Sequence, residues 1–479
     1  MNLLGVCIER IYISTSQNKL RATTNGIGHG CFLCYPSFVN VIKFCIPCQE
    51  TAFKAPRSIP PAVSNYLKQM KTIFLTVVAF IFYSCDLTDL NKRIEKIAAD
   101  NNFSGAILIS INDSIILNNA YGYSDKNKKI KNTSLTVFPI ASITKLFIKQ
   151  AILLLADSQK LSLNDTLSQY CDYFYFSNKI TISDLLYHKS GIPDIHNRIS
   201  RFNHPNELQD SISFTELFKE INSFQQLEFE PGTQISYSNS NYLILAYIIE
   251  KLTKKTLDVY LNEIIFQPYK MLNTGFFNYY SPDKGHTVGY YSRNNVVYYV
   301  PNFNFRNFWG SGNAFSTTQD LFKYYQNTQK LCKSEIATQL VQHSGYYLGF
   351  RSYYKVVPEI GLAIIILSNS GDFNLDLIVD EVIKYIKEKH LMKTFKNSDR
   401  NKSYVGKYFT TRNGNKMTID VSHENNEFKF NNTRLIQVDS NKFLIDNASL
   451  TSISFYQKNS IVGLIMNDNG ELLFFTKDE

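Results

Sequence analysis

The chain has 479 residues, 44% of them hydrophobic, with 31 Tyr and 35 Phe, which suffices for a sizeable core and two or three domains. The net charge of +9 suggests a nucleic-acid partner until it is mapped: residues 1–69 hold seven Lys/Arg against two Glu, so +5 lies there and +4 remains for the other 410 residues, without a basic patch. Five of eight cysteines also lie before residue 50, and Cys171 and Cys332 alone in the body exclude a disulfide framework, so stability comes from a packed core.

Within residues 1–69, Cys31-x-x-Cys34 and Cys45-x-x-Cys48 have zinc-ligand spacing. The segment lacks periodicity and a partner core, so it reads as an upstream extension, with the true start at Met70. Lys68 and Lys71 flank an apolar run, Thr72–Tyr83, followed by Ser84-Cys85. Basic flank, about a dozen apolar residues and a small residue describe a secretory signal peptide, and the run is too short for a membrane-spanning helix. Ser84-Cys85 resembles a bacterial lipobox, with Phe82 where Leu is usual. That resemblance implies export to the cell envelope, periplasmic or anchored to the membrane by lipid on Cys85.

From residue 87 the pattern becomes globular. Leu87–Asn101 has helical spacing; Gly105–Ser110 and Ser114–Ala120 are β-rich runs about Asn112-Asp113, predicting a hairpin. Helices are expected at Ser142–Asp157, Ile182–Tyr187, Phe214–Ile221, Ser240–Leu252, Leu257–Ile264 and Thr317–Gln329. Strand signals return at His286–Val300, Gly345–Val357 and Gly361–Ser368, before a last helix at Leu375–Lys387. Strands at both ends of a helical middle predict an α+β domain over 86–388, with one antiparallel sheet assembled from distant parts of the chain. The polar stretch 389–402 reads as a linker, and 403–479 as a small all-β domain of barrel or sandwich type.

The chemistry begins at Ser142-Ile143-Thr144-Lys145. Residues at i and i+3 share a helix face, so the lysine amine can reach the serine hydroxyl, a poor nucleophile until a base takes its proton. Alone, this four-residue pattern is weak and far more often describes an N-cap serine beside a solvated lysine. It is followed by Tyr237-Ser238-Asn239 before a helix, and by His343-Ser344-Gly345 at the head of a strand. His188 lies at a helix end and reads as structural, and His196, His204, His286, His390 and His423 show no ligand spacing. The aromatic stripes Tyr279–Tyr299 and Phe303–Trp309 suit a substrate cleft or core packing. With no H-E-x-x-H, Walker loop, dinucleotide fingerprint or G-x-S-x-G elbow, no metal or cofactor is expected.

In this order the three motifs resemble the serine β-lactamase-related and penicillin-binding protein-like hydrolases: class C β-lactamases, D-alanyl-D-alanine carboxypeptidases, D-aminopeptidases and related esterases. Lys160–Asp165, Leu185–Pro193, Tyr237–Ile249, Gly310–Thr317 and His343–Ser352 share the resemblance, which covers about residues 87–388. It implies the β-lactamase/transpeptidase-like fold, an antiparallel sheet flanked by helices with a helical subdomain. It implies Ser142 as acylated nucleophile, Lys145 and Tyr237 sharing acid and base work, and Asn239 orienting Lys145. Ser344 would meet the substrate, and the N–H groups of Ser142 and Tyr346, after Gly345, would form the oxyanion hole. Expected partners are a small peptide, amide or ester substrate and the peptidoglycan it comes from, with no nucleic acid; the rival expectation is a silent module that binds an envelope ligand. Three departures bear on substrate. His343 replaces a permanent cation, Asn313 stands where a glycine is usual, where it would adopt left-handed geometry, and Tyr346-Tyr347 crowd a glycine-rich loop.

Overall fold

The computed structural model describes residues 89–389 and 403–477, except for 172–173, 199–211, 279–280, 282–285, 294–295 and 331–339 in the first stretch and the turns at 413–414, 425–426, 439–440, 447–450, 459–460 and 469–470 in the second. The chain divides at Phe80/Ile81, and only the unit Ile81–Glu479 contains described residues. The four paired cysteines of the zinc spacing, the Met70 start, the signal-like run and Cys85 all lie outside the described residues.

Five strands form the central sheet: β1 (Gly105–Ile111), β2 (Ser114–Tyr121), β3 (Gln342–Tyr347), β4 (Phe350–Val357) and β5 (Leu362–Ser368). Their order is β3-β4-β5-β1-β2, antiparallel throughout, so residues more than 200 apart pair directly, Gly105 opposite Ser368 and Ser110 opposite Ala363. Asn112 and Asp113, at φ 51° and 61°, make the two-residue turn between β1 and β2, as their side chains' tolerance of the left-handed region allows. The strand signal at Gly345–Val357 falls in the hairpin β3–β4, broken at Leu348-Gly349, where Gly349 takes φ 77°. The strand signal at His286–Val300 likewise contains a hairpin, Tyr290–Arg293 with Val296–Tyr299.

The sheet is apolar on both faces, and alternation sorts its side chains between two cores. Ala106 and Leu108 of β1 and Ala363, Ile365 and Leu367 of β5 face helices Thr144–Asp157, Asn239–Thr253 and Thr318–Lys330. Ile107, Ile109, Ile364 and Ile366 face the opposite way, onto helices 89–100 and Asp376–Glu388. Local signals place the smaller helices: Thr181 with Asp184, and Ser213 with Glu216, are capping boxes that start Ile182–Leu186 and Phe214–Ser223. This is the expected α+β, β-lactamase/transpeptidase-like fold with its helical subdomain.

The C-terminal domain is a closed barrel of eight antiparallel strands from Gly406–Arg412 to Glu471–Lys477. Tyr408, Phe428, Phe443, Phe455, Leu464 and Phe475 fill its interior, so it is a packed core rather than a channel. Ile436, Val438 and Leu444 join the core beneath helix Asp376–Glu388, seating the barrel on the sheet face opposite the helix that begins at Thr144.

Candidate active site

Three unrelated segments converge at the β3 edge of the sheet. The first enters through Phe138–Pro139, the outer strand of a small sheet with Ala314–Ser316 and Gly275–Phe276. Ala141 then adopts φ 44°, a conformation costly for a residue with a Cβ, and the chain turns through the 3-10 segment Ala141–Ile143 into helix Thr144–Asp157. Thr144 ties this turn down: its hydroxyl donates to Ala141 O (2.6 Å) and accepts from Ala314 N (3.1 Å). Ser142 sits inside the turn and makes no capping hydrogen bond, so the N-cap reading of this serine does not hold.

Its hydroxyl is instead held by two side chains. Lys145 Nζ lies 3.1 Å from Ser142 Oγ, and Tyr237 OH donates to the same oxygen at 2.9 Å. Lys145 also donates to Asn239 Oδ1 (2.8 Å) and to the backbone oxygen of Ser311 (2.6 Å). The lysine is 1% exposed, and burial pushes its amine down to about 7 against the opposing pull of Asp194. Burial has the reverse effect on Tyr237, whose hydroxyl is driven above its ordinary value of 10 although the ring's outer face is open to solvent. The phenol therefore remains protonated where the amine titrates.

Tyr237 and Asn239 flank the start of helix Asn239–Thr253. Beneath Tyr237 lies His188, stacked at 4.6 Å and in the left-handed region (φ 57°) two residues past helix Ile182–Leu186. His188 Nδ1 accepts from Ser238 N (3.2 Å), and burial then Lys145 keep the imidazole neutral, well below its usual range. It is a structural support for the tyrosine segment, in keeping with the expectation for a helix-end histidine.

β3 closes the third side. Gly345 lies so near the turn that a Cβ there would meet Ile140 O at 2.6 Å and Ala141 Cβ at 2.9 Å, which explains a glycine at this point of the H-S-G motif. His343 Nδ1 contacts Ser344 O at 2.6 Å, and burial in the wall and the Lys145 charge push its ring down to about 3. His343 is thus a neutral residue of the site. Tyr346 extends outward, 59% exposed, with the Arg351 guanidinium over its ring at 4.7 Å.

Between these elements lies a cavity of about 610 Å³ lined by Ser142, Tyr237, Asn239, His343, Ser344 and Tyr346, together with Asp194, Phe308, Tyr347 and Leu348. All of the expected residues except the buried Lys145 and Gly345 line it, and those two lie directly behind it. Of the aromatic stripes, Phe303 and Phe305 are core, Phe308 lines the cavity, and Val296–Tyr299 is exposed. The crowding expected of Tyr346-Tyr347 is divided, because Tyr347 packs back on Phe303 (4.7 Å) and Phe308 (4.8 Å). Asn313 does not take the left-handed geometry expected of it. Gly310 does (φ 71°), while the Asn313 amide accepts from Gly310 N at 3.1 Å and bridges the turn.

Two contributors escaped the sequence. Ser311 acts through its backbone oxygen, for which no side-chain signal exists. Asp194 receives Asn239 Nδ2 at 2.9 Å and Asn239 N at 3.2 Å. Its signal was its place directly after Gly191-Ile192-Pro193, an acidic residue at the end of a motif run. Among the described residues no group of His, Cys, Asp and Glu could hold a metal ion.

PbpX of Bacillus subtilis (strain 168), named as a penicillin-binding protein, is 32% identical over 282 residues, 58% of this chain and 66% of its own length. The chain thus spans a little under two thirds of that relative. A D-amino acid amidase from Ochrobactrum anthropi SV3 superposes with a TM-score of 0.55 at 21% identity, covering 63% of this chain and 99% of the amidase. An octameric penicillin-binding protein homologue from Pyrococcus abyssi covers 82% of this chain and all of its own, with a TM-score of 0.53 at 19% identity. The family described as Beta-lactamase matches residues 90–339, more than half of the sequence and two of the three motifs that meet at Ser142, and the chain belongs to that family.

Proposed function

We propose that the protein is a serine hydrolase that opens an amide or ester through an acyl-enzyme on Ser142. The observation that carries this reading is the shared hydroxyl: Ser142 Oγ lies within hydrogen-bond reach of a buried amine held near 7 and of a phenol that keeps its proton. As a neutral amine, Lys145 donates to Asn239 Oδ1 and Ser311 O, and its lone pair faces the Ser142 hydroxyl. It takes the serine proton as Oγ bonds to the substrate carbonyl. Collapse of the tetrahedral intermediate breaks the bond to the leaving amine or alcohol, which takes its proton from Tyr237, and Tyr237 recovers one from Lys145. Water then attacks the Ser142 ester with the same groups in reverse. The N–H groups of Ser142 and Tyr346 receive the oxyanion, and Ser344 offers its hydroxyl to the substrate.

Substrate class follows from what the cavity lacks. Its described lining includes no Lys or Arg, and His343 is neutral, so a substrate carboxylate finds no permanent cation. Phe308, Tyr347 and Leu348 offer an apolar wall. We therefore read the substrate as the amide or ester of a D-amino acid or a short-chain ester, in preference to a carboxylate-bearing β-lactam. The same fold carries a D-amino acid amidase, whose name gives that class. Steady-state kinetics on p-nitrophenyl butyrate, a D-amino acid amide and nitrocefin test the reading: turnover of the first two and slow or no turnover of nitrocefin is expected. Nitrocefin hydrolysis at the efficiency of a dedicated β-lactamase contradicts it. His343→Lys shifts the balance toward nitrocefin.

We also propose that the protein works in the cell envelope, from the signal-like run Thr72–Tyr83 and the lipobox-like Ser84-Cys85, where peptidoglycan would be a source of D-amino acid substrates. Mass measurement of the N-terminus of the native protein tests this: a chain beginning at a lipidated Cys85, or just beside it, is expected, and a mature chain retaining Cys31 and Cys45 with bound zinc contradicts it.

A further inference from the structure

We propose that Asp194 is a positioning residue for this site: its carboxylate clamps the Asn239 amide so that only Oδ1 faces Lys145, and it supplies the negative charge beside the buried amine. Asp194 is 8% exposed and every contact it makes is to a donor: Asn239 Nδ2 (2.9 Å), Asn239 N (3.2 Å), His196 N (3.1 Å) and, at 3.4 Å, Asn197 Nδ2. Burial raises this carboxyl above its ordinary value, and the His196 and Asn239 donors and the Lys145 charge oppose that rise by favouring the carboxylate. An asparagine amide can lie either way round, and its partners decide which. Here one end faces a carboxylate, which can only accept, so the NH₂ turns there and Oδ1 turns to Lys145 Nζ at 2.8 Å. With a neutral amide at position 194 this constraint is lost, and Asn239 could present its NH₂ to the amine, donor against donor.

Asp194 is not needed merely to hold its loop. Pro193 O accepts from the Ser240 hydroxyl (2.7 Å), Ile195 N donates to the same hydroxyl (3.0 Å), and Ser190 Oγ donates to Asn241 Oδ1 (2.6 Å). These bonds fasten the loop to the first turn of helix Asn239–Thr253 on either side of Asp194. The charged and titratable groups facing Lys145 are also accounted for. Tyr237 and Tyr242 turn their rings to its Nζ at 5.0 and 5.6 Å and keep their protons. His188, His196 and His343 are neutral, and Lys149 lies one turn along the same helix. Asp194 is the acid among these groups, and the attraction it exerts opposes the effect of burial on Lys145.

The proposal rests on the serine-hydrolase reading, and its test has one arm that does not. In the full chain, kcat/KM against pH on p-nitrophenyl butyrate is measured for wild type, Asp194→Asn and Asp194→Glu. In parallel, the Lys145 ε-carbon is titrated by NMR in protein labelled with [6-13C]lysine, its signal assigned by loss in Lys145→Arg. Asp194→Asn is expected to lower kcat/KM about 10- to 100-fold, as for a misaligned catalytic group, and to move the acid limb and the NMR midpoint together to lower pH. Asp194→Glu retains the charge and is expected to hold both near wild type. Activity lost with the midpoint unmoved would reveal a purely structural role and overturn the proposal, as would wild-type kcat/KM in Asp194→Asn. If Asp194→Asn does not fold, Asp194→Ser is read the same way. A downward NMR shift in a protein inactive on every substrate supports the positioning role while sinking the hydrolase reading.

Discussion

Lys145 sits at the meeting point of two opposing forces, and the balance sets how the site responds to pH. Burial disfavours its ammonium form and Asp194 favours it, leaving the amine near 7, well below the lysine reference of 10.5. In the proposed mechanism the base is the neutral form, so kcat/KM should rise about tenfold per pH unit up to roughly 7 and then level. Tyr237 must keep its proton to serve as acid, and its raised value places any alkaline fall above pH 10. A pH–rate profile on an ester substrate checks both limbs; a fall between pH 7 and 9 contradicts the assignment. At the same scale, the Tyr347 hydroxyl is buried among rings without a hydrogen-bond partner among the described residues. Tyr347→Phe removes that unpaired group and should leave thermal stability unchanged or raise it by about 1 kcal/mol, with kcat/KM on the ester kept. A drop in melting temperature would reveal a partner for the hydroxyl.

Elements, rather than residues, bring the site together, and here reading the sequence met its limit. The spacing Ser142-x-x-Lys145 is legible because helical periodicity turns a sequence interval directly into a shared face, and Tyr237 and Asn239 precede a recognisable helix. The break of β3–β4 was not legible: Tyr346-Tyr347-Leu348 and Phe350 read as one apolar run across Gly349, whose left-handed backbone reverses the chain. Ser311 escaped because a backbone oxygen leaves no trace in the side-chain alphabet, and Asp194 because its part depends on a tertiary meeting with Asn239. Asn313 misled because an asparagine in a glycine position suggested a strained turn, when Gly310 already supplies it. Gly345 is the point where one element limits another. A Cβ at this position would meet Ser352 Oγ at 2.4 Å as well as Ile140 O and Ala141 Cβ, so β3 must retreat from the Ser142 turn. Gly345→Ala should therefore cost about 1–3 kcal/mol of stability and slow acylation of Ser142 by tenfold or more. Stopped-flow acylation alongside a thermal melt separates the two effects.

For the molecule as a whole, the two faces of the sheet divide the work. The site stands on the face covered by helix Thr144–Asp157, and the barrel joins the core of the other face through Ile436, Val438 and Leu444. Leu444→Ala should cost about 2–5 kcal/mol yet leave kcat/KM unchanged below the melting transition, as checked by paired melts and kinetics. An activity loss matching the stability loss at low temperature would mean that the barrel reaches the site. The central claim, that Ser142 carries the acyl group, is tested most directly by intact-protein and peptide mass spectrometry after reaction with a fluorophosphonate. The account predicts one adduct, on Ser142, in the wild type and none in Ser142→Ala, a variant that should fold with a loss of only about 1 kcal/mol for the missing hydrogen bonds. An adduct on another residue, or equal labelling and turnover in Ser142→Ala, would contradict it.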